Sequence, residues 1–399
     1  MRHRRLVKLV VALSALALFA TTAVATAGTL RASKASASSY DVGIVYSKTG
    51  LLSAYGAEYI EGLRLGLAYA THGTNKVNGK KINLQIADDG TDPAKAVSAA
   101  KDMIGKGVKI IAGSVSSGVA LQLAPLADQN HVLYLPGPAA SDAITGINKY
   151  TFRTGRQTWQ DTLTADSFLN GVGKKIVVFA QDTAFGAGNV AAVKAVLGGK
   201  GHHVSSVLVP LTATDFTPFA QQAKNAKPDL LFVAWAGTTA GAMWKALDQQ
   251  GAFAGTKVVT GLAERATWQG FGDVAGKIEF LSHYVYTAPK NKVNDFLVKS
   301  LRKRNQVPDL FTPDGFVAGQ MIVHALQKGN YDVDKMVSAL EGWKFLAPKG
   351  YQAIRPQDHA MLQPMFQVQL VKNAKSKVGW TPKVLGTVSS YKTAPPVGK

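Results

Sequence analysis

Two stretches of this chain place side chains at spacings that could do chemistry. Gly113-Ser114-Val115-Ser116-Ser117-Gly118 is a loop of small hydroxyl residues between an apolar run and a helical stretch. Serine hydroxyls beside the free N–H groups of a helix start form a cradle for a carboxylate or another anion. The loop also approaches the nucleophile elbow G-x-S-x-G, but its glycines stand five apart, one position too far. Gly186-Ala187-Gly188-Asn189-Val190-Ala191 matches G-x-G-x-x-A and opens a helical stretch. A dinucleotide site needs those glycines directly after a strand and an acid about 20 residues on. Here Gln181 to Phe185 intervene, and the next strand runs into Pro210 without an acid, so the glycines read as helix-start geometry. The eight histidines, the pair His202-His203 included, show no zinc-like spacing with carboxylates.

The serine loop needs elements to hold it. Residues 82–87 alternate as a strand, and Asp88-Asp89-Gly90-Thr91-Asp92-Pro93 stops them. Asp92 is a predicted N-cap and Pro93 a first helical residue that needs no N–H. Val97, Ala100 and Ile104 then fall on one helical face, Gly105 and Gly107 end the helix, and 108–112 read as a short buried strand. Asp88 and Asp89 therefore read as turn and cap residues rather than catalytic acids. This is one βαβ unit, and open α/β sheets bind small ligands at the carboxyl ends of such strands.

The pattern extends along the chain. Strand-like runs at 41–46, 132–135, 176–180, 204–209, 230–235, 257–260 and 278–283 alternate with helical stretches. The helices are expected at 57–70, 159–169, 185–197, 216–225, 238–249, 293–304, 313–327 and near 335–340. Such alternation predicts parallel sheets covered by helices, and the length predicts two α/β lobes. Residues 365–371 alternate again, and the chain from Lys372 onward reads as a polar tail.

Composition narrows the class. Residues 1–27 read as a cleaved export signal: Arg2, Arg4, Arg5 and Lys8, a short apolar core, then Ala25-Thr26-Ala27. A retained anchor is the alternative, although the apolar core falls short of the roughly 20 residues a span needs. Residues 28–39 read as a polar leader. There are no cysteines, so no disulfides and no lipidated cysteine, and the expected protein is exported and free of a lipid anchor. Removing four basic residues with the signal lowers the net charge from +20 to +16. The basic residues are scattered, and the densest group, Lys299, Arg302, Lys303 and Arg304, reads as a solvated helix face. No nucleic-acid motif accompanies them, so no nucleic-acid partner is expected, and attraction to an anionic envelope is the better reading of the charge.

In order and spacing, these motifs resemble the type I periplasmic-binding-protein fold, and more narrowly the branched-chain amino-acid-type (Leu/Ile/Val-binding-like) substrate-binding proteins of ABC importers. The similarity lies in Thr49 to Gly56 as a first ligand loop, the acidic turn at 88–93, the serine loop, and Pro138-Ala139-Ala140-Ser141-Asp142. It continues through Gln181-Asp182-Thr183-Ala184-Phe185-Gly186 and Thr312 to Ala318, covering about 40–388. The resemblance implies two Rossmann-like lobes with parallel central sheets and a hinge. The first lobe would hold 40–152 and 285–346, the second 153–284 and 347–390, with 391–399 a tail. Crossings would fall near Arg153, near 283–286 and near 347–350.

It also implies a monomeric, non-catalytic receptor that closes on a small solute and delivers it to a membrane ABC permease, with no metal, nucleotide or redox cofactor. The ligand's carboxylate would meet Ser116, Ser117, Ser141 and the backbone near Ala139, with Tyr55 packing against it. Phe185, Thr238 and Glu264 would close from the second lobe, Glu264 facing an ammonium. Leucine-type binders commonly place tyrosine where this chain has Phe185, and the aromatic side wall is shifted around Trp235 to Thr239. The ligand therefore stays open among amino acids, amides and small aromatic carboxylates. A secreted α/β hydrolase and a soluble ligand-sensing partner of a membrane receptor are the alternatives.

Overall fold

The computed structural model describes residues 39–398, so the export signal lies outside the described residues, as does the leader apart from Ser39. The first sheet contains β1 (Ser39–Tyr46), β2 (Lys76–Val77), β3 (Lys80–Asp88), β4 (Ile110–Ala112) and β5 (Leu133–Leu135), in the order β2-β3-β1-β4-β5. All pairings are parallel except the β2–β3 hairpin. α1 (Ser53–Ala70), α2 (Pro93–Gly105) and α3 (Ser117–Gln129) make the connections. β4 and β5 are buried throughout, as strands covered on both faces must be.

The βαβ unit forms for the reasons read in its residues. The Asp92 carboxylate accepts the Lys95 N–H at 2.9 Å, and Pro93 opens the helix. The buried face of α2 is Ala96, Ala100 and Met103, with Val97 and Ile104 flanking it partly buried, so the helix is turned from the expected face. Small alanines at the centre let α2 approach the sheet, and the larger side chains fill its margins.

A second sheet follows with α4 (Thr158–Asp166), β6 (Lys175–Gln181), α5 (Ala184–Val196), β7 (His203–Val209), α6 (Thr217–Asn225), β8 (Leu230–Ala234), α7 (Ala240–Gln249), β9 (Lys257–Gly261) and β10 (Ile278–Ser282). The chain then returns as α8 (Lys292–Arg302), α9 (Thr312–Gly329) and α10 (Val333–Leu340). Side chains of α9 and α10 join the core of the first sheet. β11 (Lys344–Ala347), β12 (Gly350–Ile354) and β13 (Met361–Leu362) form a small antiparallel sheet. β14 (Met365–Lys372) and β15 (Trp380–Val388) complete the second sheet, ordered β15-β14-β10-β9-β8-β6-β7.

The C-terminal third differs most from expectation. Phe345, Ala347, Ile354 and Met361 belong to the first core, so the chain rejoins the second sheet at Met365 and not at Ala347. The polar stretch after Lys372 contains β15, antiparallel to β14 at the sheet edge. An edge strand tolerates Pro382 and shows little alternation, which hides it from periodicity. The terminal residues are pinned: Arg355 Nη1 donates to the Pro395 carbonyl at 2.6 Å, and the Gly398 N–H to Asp358 at 2.8 Å. Among the described residues no helix is long and apolar enough to cross a membrane.

Candidate functional site

A cavity of about 330 Å³ lies between the two sheets, at the strand ends where the βαβ geometry places ligands. The first lobe contributes Leu51, Leu52 and Tyr55 from the loop and start of α1, and Ser116 and Ser117 from the start of α3. Pro138 and Ala140 follow β5. The second lobe contributes Gln181 to Phe185 at the end of β6, Trp235 and Ala236 after β8, and Leu262 after β9. Phe232 and Phe311 add two more rings to the wall.

Loop positions are set by carboxylates and caps. Asp88 accepts from the N–H groups of Lys48 and Thr49 at 3.0 Å each, from Thr49 Oγ1 at 2.6 Å, from Gly90 N–H at 2.9 Å and from Lys95 Nζ at 3.0 Å. Burial alone would raise its pKa, but those donors outweigh it and hold the carboxyl well below the usual range. A depressed carboxylate stabilises the fold above its unfolded pKa, about 4 for Asp, and loses that contribution as pH falls towards the folded value. Asp88→Ala is therefore expected to lower the urea midpoint at pH 6, with the gap to the unaltered protein narrowing at pH 3. An equal gap at both pH values would show that the carboxylate charge does not hold the loop.

Of the residues expected to contact a ligand, Tyr55, Ser116, Ser117 and Phe185 line the cavity. Ser116 Oγ accepts the Val119 N–H at 3.4 Å and caps α3, so part of its capacity is spent on the helix. Ser117 Oγ accepts the Ser141 N–H at 3.1 Å, which leaves its own proton to donate. Ala139 and Ser141 sit behind the wall: Arg153 Nη1 donates to the Ala139 carbonyl at 2.7 Å, and Arg153 Nη2 to that of Ser141. Ala140 between them is the residue that reaches the cavity.

The remaining two depart from expectation. Thr238 is exposed and does not line the cavity, because Gly237 takes the left-handed conformation (φ 85°) just before it and turns the chain away. A side chain at Gly237 would meet the Leu51 carbonyl at 2.7 Å, so the second lobe approaches the first through this glycine. Glu264 is buried but does not line the cavity; Ala263 beside it does. Burial raises its carboxyl, with the charge of Asp309 acting in the same direction, while a hydrogen bond with Tyr55 opposes. Glu58 and Asp309 are also raised by burial, so each of these acids is protonated more readily than an exposed one.

Sequence reasoning missed Arg156 and Asp161, which line the cavity from the first connecting segment and α4. Arg156 Nε stands 3.3 Å from Asp161 Oδ2, and Nη1 donates to the Pro138 carbonyl at 2.9 Å. Arg156 thus borders the same 136–141 loop that ties Ser117 to Ser141. The signal available was an opposite-charge pair five residues apart in a stretch otherwise free of charge. Burial pushes Asp161 up to about 6, against the pull of Arg156.

Contacts also join the lobes around the cavity. Tyr55 Oη accepts the Gly237 N–H at 3.4 Å, and Asp309 Oδ2 accepts the Arg265 N–H at 2.9 Å. Beneath them Asp314 of α9 meets Lys349 Nζ at 2.7 Å, and Lys349 also donates to Gln363 Oε1 at 2.6 Å. His283 Nε2 lies 3.5 Å from Asp314. Burial, with the charges of Arg156 and Lys349, holds the His283 pKa well below its usual value, which keeps it neutral. Among the described residues no group of His, Asp or Glu side chains is arranged to hold a metal ion.

A sequence profile described as periplasmic binding protein matches residues 39–375. The Leu/Ile/Val-binding protein BraC3 of Rhizobium johnstonii is 26% identical over 313 residues, covering 76% of this chain and 83% of that protein. An ABC-type branched-chain amino acid transporter from Rhodopseudomonas palustris CGA009 superposes with TM-score 0.75 at 33% identity, covering 90% of this chain and 99% of that one. A solute binding protein of an ABC transporter from R. palustris BisB5, in complex with 3,4-dihydroxy benzoic acid, superposes with TM-score 0.78 at 27% identity, covering 88% and 98%.

Proposed function

The chain belongs to the periplasmic binding protein family, and from that premise we propose that it is the extracytoplasmic solute receptor of an ABC importer, closing on a small apolar or aromatic carboxylate. The family is one of binding receptors and not of enzymes, and the solute-binding role in an ABC transporter follows from its relatives. The finer reading of the ligand is carried by one observation. The cavity is walled by Tyr55, Phe185, Phe232, Trp235 and Phe311, and hydrophilic side chains reach it from both lobes, Ser116 and Ser117 from the first and Gln181, Asp182 and Thr183 from the second. Aromatic faces bury a ring, and a few placed donors fix its orientation. The solute carboxylate meets the Ser117 hydroxyl, with Ser116 beside it and Ala139 and Ser141 supporting from behind. Tyr55 and Phe185 pack on the apolar body. Thr238 and Glu264 are left without a ligand role. The interlobe hydrogen bonds of Tyr55 and Asp309 belong to the closed state, and a solute touching both lobes favours it.

A thermal-shift screen of the purified protein against benzoates, apolar amino acids and their amides tests this reading. A ligand bound only by the native state raises the midpoint, and apolar carboxylates are expected to do so while the amides are not. No shift with any of them, alongside measurable esterase turnover, would favour the hydrolase alternative. Ser117→Ala is expected to weaken the bound carboxylate about tenfold, or about 1.4 kcal/mol. Unchanged affinity in a calorimetric titration would remove Ser117 from contact with the solute.

A further inference from the structure

Arg156 and Asp161 are 9% and 4% exposed, yet both line the cavity. Arg156 Nε approaches Asp161 Oδ2 to 3.3 Å, while the other carboxylate oxygen, Asp161 Oδ1, is buried without a hydrogen-bond partner among the described residues. An orphaned buried polar atom costs about 1–3 kcal/mol, and more when charged. A buried ion pair with spare capacity, on two residues that line a cavity, is complementary to a polar group that enters it. Arg156 is moreover the single lysine or arginine among the lining residues.

We propose that this pair reads the charge of the ligand: Arg156 takes its carboxylate, and Asp161 balances it, pairing with the ammonium of a zwitterion or taking up a proton when the ligand is a simple anion. The inference rests on the receptor reading. As an ion pair the two side chains are neutral together, so a lone carboxylate added beside them is an uncompensated buried charge. A zwitterion adds none.

The surroundings single out Asp161 as the group that responds. Arg153 is occupied by Thr145 and the carbonyls of Ala139, Ala140 and Ser141. Asp142 is held by Gln157, Thr158 and the Trp159 N–H. Lys349 is committed to Asp314 and Gln363, and His283 stays neutral. Asp161, raised to about 6 by burial, exchanges its proton just below neutrality. At pH 7 the free protein holds it mostly ionised, and a bound anion raises it further. Binding of a simple anion at pH 7 then takes up close to one proton. Its affinity falls about tenfold per pH unit as pH rises above about 6, and levels off below that.

Calorimetric titration of the unaltered protein at pH 7, in two buffers of different ionisation enthalpy, counts the protons. Benzoate is expected to bind with uptake near one and leucine with uptake near zero. Asp161→Asn should abolish the uptake, flatten the benzoate affinity between pH 6 and 8, and weaken leucine tenfold or more. Arg156→Gln should weaken both ligands tenfold or more. These residues are buried and a variant can fail to fold, so the proton count on the unaltered protein stands alone as the decisive reading. Benzoate binding without proton exchange, or leucine binding indifferent to Asp161→Asn, overturns this inference and leaves the receptor reading intact. Silence toward every carboxylate of the melting screen overturns both.

Discussion

Lys349→Met is expected to destabilise the protein by about 3–5 kcal/mol, the cost of leaving one partner of a buried ion pair uncompensated. Lys349 and Asp314 are both fully buried, and the lysine ammonium is the cation in direct contact with the Asp314 carboxylate. His283 lies at 3.5 Å, but burial disfavours its charged form, and Arg156 acts on Asp314 only through its charge. The variant's carboxyl therefore responds by holding a proton. Burial already raises Asp314 in the intact protein, and removing the ammonium raises it further. A carboxyl with a raised folded pKa weakens the fold as pH rises above the unfolded value of about 4, so the destabilisation grows from pH 4 to pH 7. Urea unfolding at those two pH values measures it. The double variant Lys349→Met with Asp314→Leu should recover most of the loss, because an apolar pair of similar size replaces the ion pair. A loss under about 1 kcal/mol for Lys349→Met, an exposed-pair magnitude, would mean that the network carries no charge. Arg156 and His283 come from two segments that link the sheets, Lys349 comes from the β11–β12 turn, and Gly155 packs against the Asp314 carboxylate, where a Cβ would come within 2.7 Å.

Gly315→Val is expected to cost about 1–3 kcal/mol or more, the range for forcing volume into a packed contact. A Cβ at Gly315 would stand 2.0 Å from the Tyr59 carbonyl oxygen, and one at Gly62 would stand 1.9 Å from that of Thr312. Gly66 and Gly319 repeat the arrangement one turn on, so α1 and α9 meet backbone to backbone. The partner atoms are main-chain carbonyls, which cannot swing aside as a flexible side chain would. The helices must separate, and Tyr55 on α1 and Phe311 before α9, whose rings lie 4.5 Å apart at the cavity, separate with them. The variant should therefore lose ligand affinity as well as stability. A urea midpoint equal to that of the unaltered protein would show that the helices can part without loss. Gly315→Ala refines the test, since its better helix propensity offsets about 1 kcal/mol of the clash.

Most of the frame was legible in the residues. Asp92 and Pro93 start α2 as their types dictate, the apolar runs became strands, and the serine loop lies at the strand end where it was expected. Each of these depends on burial or capping within a few residues, which periodicity and turn chemistry report directly. β15 was missed because an edge strand with Pro382 and exposed alternate residues carries little of that signal.

The meeting of distant groups was not legible. Thr238 was expected at the cavity, yet the conformation of Gly237 turns it outward; Glu264 was expected to face a solute, yet it lies buried beside Tyr55. Arg156 and Asp161 offered only an opposite-charge pair five residues apart, and only the tertiary structure brings both to the cavity wall. The sequence by itself determined the family, the two α/β lobes and the place of the serine loop at a strand end, because those follow from local propensity and motif order. Tertiary structure alone decided which charges share the cavity and which are neutralised beneath it, because desolvation and pairing depend on residues far apart in the chain (Gln160 reaches the Met361 carbonyl across 201 positions).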